Sequence, residues 1–332
     1  MEVCAHQQTM EKGMEQQQHF QAIYDIIRES EDQGLFVEPR GLSGFSGAKL
    51  VGMLQRLARY EASRNGGLYL EVGVFQGLTL ISTACALDGG EAFGIDNFAQ
   101  FDASKKNQAI IQKRMEANEV NNANLINRDY EDALEDLKAI RGEKKIGVFF
   151  VDGPHDYRSQ AICLHLIKPH LSESAVIVID DCNYRHVRLA NRDFLVSNPE
   201  FKLIFESYTR CHPGNMTKEE ENEARRGWWN GVNVIVKDPE NRLEGMYPET
   251  LRDRRLYENE HVVHSEKYGC LAIEAVKFVA SVMSWRFIKA AKQFTDIIRK
   301  ARCADNRFVG DYTSMNTFSG ELPQCHFNPS VK

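Results

Sequence analysis

The sequence predicts an α/β fold: a doubly wound sheet with an N-terminal helical segment before it and a C-terminal helical extension after it. Three observations carry this. Residues 67–77 read GLYLEVGVFQG, a short apolar strand running into a glycine turn that a helix follows. Strand and helix signals then alternate, the pattern of a sheet with helices on both faces. Two later strand signals run apolar to their ends and then stop at acids, Asp152 and the pair Asp180-Asp181.

In order along the chain, residues 1–18 are polar and expected to fray, and residues 20–27 have an amphipathic pattern. Residues 34–47 carry Pro39 and several glycines and read as a loop whose Phe36 and Phe45 need partners. Leu50, Val51, Leu54, Leu57 and Ala58 set a helical period over residues 48–60. The first strand follows at residues 68–70, ending in Glu71, and residues 78–87 read as a helix. The second strand is 91–95, ending in Asp96; a polar-faced helix spans 103–119. Strand 124–127, helix 131–140, strand 146–151, helix 158–171, strand 175–179 and helix 188–197 continue the alternation. Strands 201–208 and 232–236 bring the total to seven. Between them, residues 210–230 form a long connection over the carboxyl end of the sheet, either a cover for the ligand crevice or a solvated insertion. After residue 238 the chain is irregular and charged, and residues 272–302 read as one or two basic amphipathic helices. Packing against the main domain or a second subunit is the favoured use of their apolar stripe; a membrane surface is the alternative. The division is thus 1–47, a helical and loop segment; 48–238, the α/β domain; and 239–332, the helical extension.

Composition excludes several classes. The formal net charge of −6 gives no general attraction to nucleic acid. The 8 cysteines include no C-x-x-C pair, which argues against a structural zinc site or a disulfide framework and for a reducing cytoplasm. No apolar run reaches the roughly 18 residues of a membrane span.

The motifs narrow the ligand. Phe75 stands where a dinucleotide turn needs its middle glycine, so close approach of a pyrophosphate is disfavoured. Asp96, at the tip of the second strand, is placed to accept ribose hydroxyls. Ribose without pyrophosphate points to S-adenosylmethionine (SAM). Here the chain resembles the class I SAM-dependent methyltransferases, with Glu71-x-Gly73-x-x-x-Gly77 similar to their first motif. The resemblance covers about residues 48–238 and implies a Rossmann-like seven-stranded sheet with an antiparallel last strand. It also implies cofactor contacts from Glu71, Gly73, Gly77, Asp96, Asp129 and Asp152.

Acids at the ends of adjacent parallel strands, about 4.8 Å apart, share one pocket. Singly, Asp152 or Asp180 reads as a helix cap. Together with Asp181 they crowd three carboxylates that repel one another unless a hard divalent cation neutralises them, Mg²⁺ or else Mn²⁺ or Ca²⁺. The run Asp152-Gly153-Pro154-His155-Asp156-Tyr157 resembles a metal-dependent branch that includes catechol-type O-methyltransferases, macrolide and aminocoumarin sugar O-methyltransferases, and cephalosporin hydroxylase-type proteins. That resemblance implies Mg²⁺ on Asp152, Asp180 and Asp181, with His155 as general base. Tyr157, Tyr184 and His186 are expected to line the substrate site; Cys182 reads as a space-filler, and Trp228 and Trp229 as ring-stacking or core residues. The expected activity is Mg²⁺-dependent methyl transfer to a hydroxyl of a small molecule with adjacent oxygens, a sugar or a phenolic natural product. The expected partners are that substrate and a second copy of the chain, with no nucleic acid and no membrane. A relative performing another metal-assisted step, or a non-catalytic interaction protein, is the alternative.

Overall fold

Four parallel crossovers and a closing hairpin build the sheet that positions the site. The computed structural model describes residues 2–102, 104–250, 269–302 and 325–331. Helices α1 (Glu2–Gln33) and α2 (Ala48–Asn65) precede β1 (Leu68–Val72), α3 (Leu78–Ala86), β2 (Ala92–Ile95), α4 (Asn107–Ala117) and β3 (Ala123–Ile126). Then come α5 (Tyr130–Glu135), α6 (Leu137–Arg141), β4 (Ile146–Val151), α7 (Tyr157–Ile167), β5 (Leu171–Ile179) and α8 (Arg185–Ser197). Strand β6 (Phe201–Ser207), α9 (Lys218–Arg226) and β7 (Val232–Lys237) complete the central body. Helices α10 (Gly269–Met283) and α11 (Phe287–Arg302) and a short β8 (His326–Phe327) follow.

The strand order is β3-β2-β1-β4-β5-β7-β6-β8, with β7 antiparallel to both neighbours. The seven expected strands are present; the eighth, two residues long, pairs Phe327 with Phe205 at the β6 edge. Its brevity gives it no periodic signal in the sequence.

The strands are buried on both faces, which is why they read as continuous apolar runs. Side chains alternate across β4: Val148 and Phe150 join a core with Phe20, Leu54, Leu57 and Ile81, while Phe149 and Val151 join another with Leu134, Leu164 and Phe194. Helix α1 differs from expectation, running from Glu2 through the polar segment read as frayed. Its Gln, Glu, Met and Lys residues are good helix formers, and Phe20, Ile23 and Ile27 anchor it in the core. Loop 34–47 finds the partners its aromatics need. Phe36 lies under Arg56 and Arg59, and Phe45 packs near Phe75.

Helices α10 and α11 pair with each other through Phe278 and Phe294, 5.6 Å apart at ring centres. The expected burial of their apolar stripe against the body is not seen among the described residues, since Val276, Met283 and Ile288 are all exposed. No helix among the described residues is long and apolar enough to cross a membrane.

Candidate active site

The turn after β1 is shaped by one close approach. Gly73 has φ +93°, and a Cβ there would lie 1.8 Å from the carbonyl oxygen of Asp152. Only glycine lets this turn lie against the end of β4. Gly77, with φ +84°, starts α3. The Asp96 carboxylate fastens the turn: Oδ2 accepts from the amides of Val74 and Phe75 at 2.9 and 2.8 Å, and Oδ1 from Phe98 at 2.7 Å. A carboxylate has about four acceptor positions, so room remains for a hydroxyl.

Glu71 is placed differently from expectation. It is fully buried beneath the turn, accepting from Tyr69 Oη at 2.6 Å and Thr79 Oγ1 at 3.1 Å, and it does not line the cavity. Burial pushes its carboxyl up to about 8, against those two hydrogen bonds. Its role here is to pin β1 to α3. Gly77 is also absent from the cavity wall, whereas Gly73, Asp96, Asp129 and Asp152 line it. Asp129 additionally caps α5, accepting from the Glu131 amide at 2.9 Å.

The strand ends align as the alternation requires. Asp152 N donates to Val72 O at 2.9 Å and Asp180 N to Val151 O at 3.0 Å, so the tips of β1, β4 and β5 lie level. Asp152, His155 and Asp181 each turn one ligand-type atom to a common point, all within 4.8 Å of one another. His155 Nε2 meets Asp181 Oδ2 at 2.5 Å, and Asn230 Nδ2 donates to Asp181 Oδ1 at 2.5 Å. Asp181 holds φ +57°, a left-handed conformation that costs an aspartate energy and marks a constrained position.

Asp180, expected beside Asp152 and Asp181, is not in that cluster. Its Oδ1 accepts from the Asp181 amide at 2.7 Å, and its Oδ2 is buried with no hydrogen-bond partner. His155 takes the third place instead. Burial, then the charges of Asp180 and Asp181, push the Asp152 carboxyl well above the usual range; burial and Asp181 do the same to Asp180. Burial also works to raise Asp181, but His155 and the Asn230 hydrogen bond hold it below. For His155, burial opposes charging and the Asp181 carboxylate overrides it, so the imidazole lies above its ordinary value.

Around the cluster, Tyr184 stacks on His155 with ring centres 5.0 Å apart. His212 also faces the cavity. Its Nδ1 accepts from the Gly214 amide at 2.9 Å, so the neutral ring carries its proton on Nε2. Burial drives its basicity down to about 4. Cys182 is fully buried with its thiol pushed up by burial, as a space-filler would be. Tyr157 and His186 do not line the cavity.

The cavity measures about 810 Å³. Connection 210–230 covers it with a short 3-10 turn and α9, which opens on a capping box between Thr217 and Glu220. Trp229 lines the cavity, stacked under Arg225 at 4.7 Å, while Trp228 belongs to the core and donates to Glu31 at 2.6 Å. Phe45, Phe75, Phe101 and Trp229 form an aromatic wall, the closest pair, Phe45 and Phe75, 5.1 Å apart. The sequence reading missed His212, Asn230, Phe101 and the cavity role of Phe45. Only Asn230-Gly231, a turn signal at the foot of β7, offered a clue; the others come from loops with no period.

Residues 70–182, about a third of the chain, match a family model described as a methyltransferase domain. Among solved structures, the chain is similar to an O-methyltransferase from Bacillus cereus in complex with SAH, at 14% identity and TM-score 0.43, over 65% of this chain and 90% of that one. It is also similar to the O-methyltransferase TomG from Streptomyces achromogenes, involved in tomaymycin synthesis and in complex with SAM. That match has 16% identity and TM-score 0.42, over 65% of this chain and 89% of that one. Curated proteins give no match.

Proposed function

We propose that the protein moves the methyl group of SAM to a hydroxyl of a small molecule with adjacent oxygens, a sugar or a phenolic natural product; the match of residues 70–182 to a methyltransferase-domain family model supports this reading. The observation that carries this is one cavity whose wall joins Gly73 and Asp96 to the cluster of Asp152, His155 and Asp181.

A divalent cation suits the Asp152, His155 and Asp181 cluster. Two carboxylates and an imidazole converge there, the neighbouring Asp180 Oδ2 is an orphaned buried oxygen, and burial followed by mutual repulsion raises the Asp152 and Asp180 carboxyls. Asp152 and Asp181 would hold the ion, Mg²⁺ by the oxygen-rich donor set, with Asp180 behind them. When bound, the ion supplies polarisation of the acceptor hydroxyl, lowering its pKa.

The chain's own groups do the rest. Asp96 accepts from the ribose and holds the glycine turn in shape. Asp181 fixes the imidazole of His155 through Nε2 and raises its basicity, which leaves Nδ1 as the atom that takes the hydroxyl proton. Trp229 and Phe45 line the cavity beside these groups, and its volume of about 810 Å³ suits a small acceptor.

The test is calorimetric titration of SAM, then of Mg²⁺, into the wild-type protein and the Asp152→Asn and Asp181→Asn variants. SAM should bind to all three, and the Mg²⁺ heat should vanish in the variants. Absence of SAM binding to the wild type would sink the methyltransferase reading.

A further inference from the structure

The most prominent apolar surface among the described residues lies at the tip of the α10–α11 hairpin, outside the cavity. Met283, Trp285, Phe287 and Ile288 are exposed by 77%, 80%, 58% and 81%, while Ser281 and Ala290 are buried inside the hairpin. Helix α10 ends on Trp285 with φ +57°, and the amides of Trp285 and Arg286 bond back to Val282 O and Ser281 O at 3.0 and 2.9 Å. Glycine is the usual residue at such a left-handed helix end. Tryptophan there costs conformational energy and sets a large indole at the apex of the turn, in solvent.

Charge around the tip is one-sided. Glu274 and Asp296 are the acidic residues of the two helices, and they pair with Lys277 and Arg299. Arg286, Lys289 and Lys292 are exposed and form no ion pair among the described residues. The chain as a whole carries −6. The basic hairpin is therefore opposite in sign to the rest of the molecule.

We propose that this tip binds the surface of an anionic phospholipid membrane. An indole with flanking Phe, Ile and Met suits the headgroup boundary, where one end of the ring is apolar and the other wet. Three cations with no ion-pair partner among the described residues complement phosphate-bearing headgroups, and their long stems reach the charge while the apolar tip enters. The acidic body is repelled from the same surface, which orients the protein tip-first. An apolar tip flanked by cations does not match the polar, charged surface that nucleic acid requires. This departs from the expectation of no membrane partner, which rested on the absence of a spanning segment.

The chain provides its own reporter. Of its 3 tryptophans, Trp228 and Trp229 are buried and Trp285 alone is exposed. Full-length protein is titrated with vesicles of phosphatidylcholine alone or with about one-third phosphatidylserine. With anionic vesicles, emission should shift to the blue and iodide quenching should fall; Trp285→Phe should abolish both changes while still co-sedimenting. Arg286→Gln with Lys289→Gln should weaken binding about 30-fold, and added salt should weaken the wild type. The proposal is overturned if the protein ignores anionic vesicles at low salt. It is equally overturned if Ile288→Asp converts a self-associated protein to monomer and no lipid binding is seen, because the tip would then be a contact between copies.

Discussion

Gly73 and Asp181 show how the site depends on single backbone conformations. Replacing Gly73 by Ala would set a methyl group into the Asp152 carbonyl, at a φ that L-residues avoid. Gly73→Ala should lose more than about 2 kcal/mol in urea denaturation and lose the SAM heat with it. An unchanged midpoint would show that the turn does not rest on the β4 end. At Asp181 the left-handed backbone turns the carboxylate away from that of Asp180 and toward His155. Consecutive acids in a strand tip are therefore not equivalent, which is why the pair splits between cluster and core.

At the scale of the element, α9 is the piece that closes the cavity. Its capping box satisfies the helix's first amides, its first turn is acidic through Glu219, Glu220 and Glu221, and its last turn carries Arg225 and Arg226. This is the arrangement a helix dipole favours. Arg225 in turn covers Trp229 and donates to Gly44 O at 3.2 Å, tying the helix to loop 34–47. Thr217→Ala should cost about 1 kcal/mol, felt locally. Hydrogen exchange should speed up in residues 218–226, and the KM for SAM should rise with kcat little changed. Faster exchange across β4 and β5 as well would mean that α9 is part of the global folding unit and not a separable cover.

Across the whole molecule, α1 and α2 bury a titratable pair at the end of the sheet opposite the site. His19 Nδ1 lies 3.7 Å from Glu61 Oε1, and both side chains are almost fully buried. Burial lowers His19 to about 4 and raises Glu61 to about 7. The signs oppose. His19 is neutral when folded, so its contribution is present above about 6.5 and is lost as pH falls toward 4. Glu61 is protonated when folded, so its contribution is present below about 4.5 and is lost as pH rises through 7. Between those limits the two offset, so this pair adds no net slope to the stability between pH 4.5 and 6.5. Glu61→Gln removes one limb. It should gain up to about 3 kcal/mol on the wild type at pH 8 relative to pH 5. A variant–wild-type difference that does not move with pH would rule out a buried, neutral Glu61.

The sequence by itself determined the sheet. Buried parallel strands read as apolar runs, their ends fall where the runs stop, and β4 was legible to the residue, Ile146–Val151. The same logic placed Gly73, Asp96, Asp152 and Asp181 at one end, because strand order brings the tips of β1, β2, β4 and β5 together. Tertiary structure decided the rest. Side-chain direction at the tip admits His155 and withholds Asp180, and a strand period of two cannot show a left-handed residue just beyond the strand. Burial of Glu71 beneath its own turn was equally hidden, since the motif gives the spacing and not the depth. His212, Asn230, Phe45 and Phe101 reach the cavity from connections whose courses are set by packing against the body. The exposed tip at Trp285 has the same origin: amphipathic periodicity marks an apolar face, but only the folded hairpin shows that nothing among the described residues covers it.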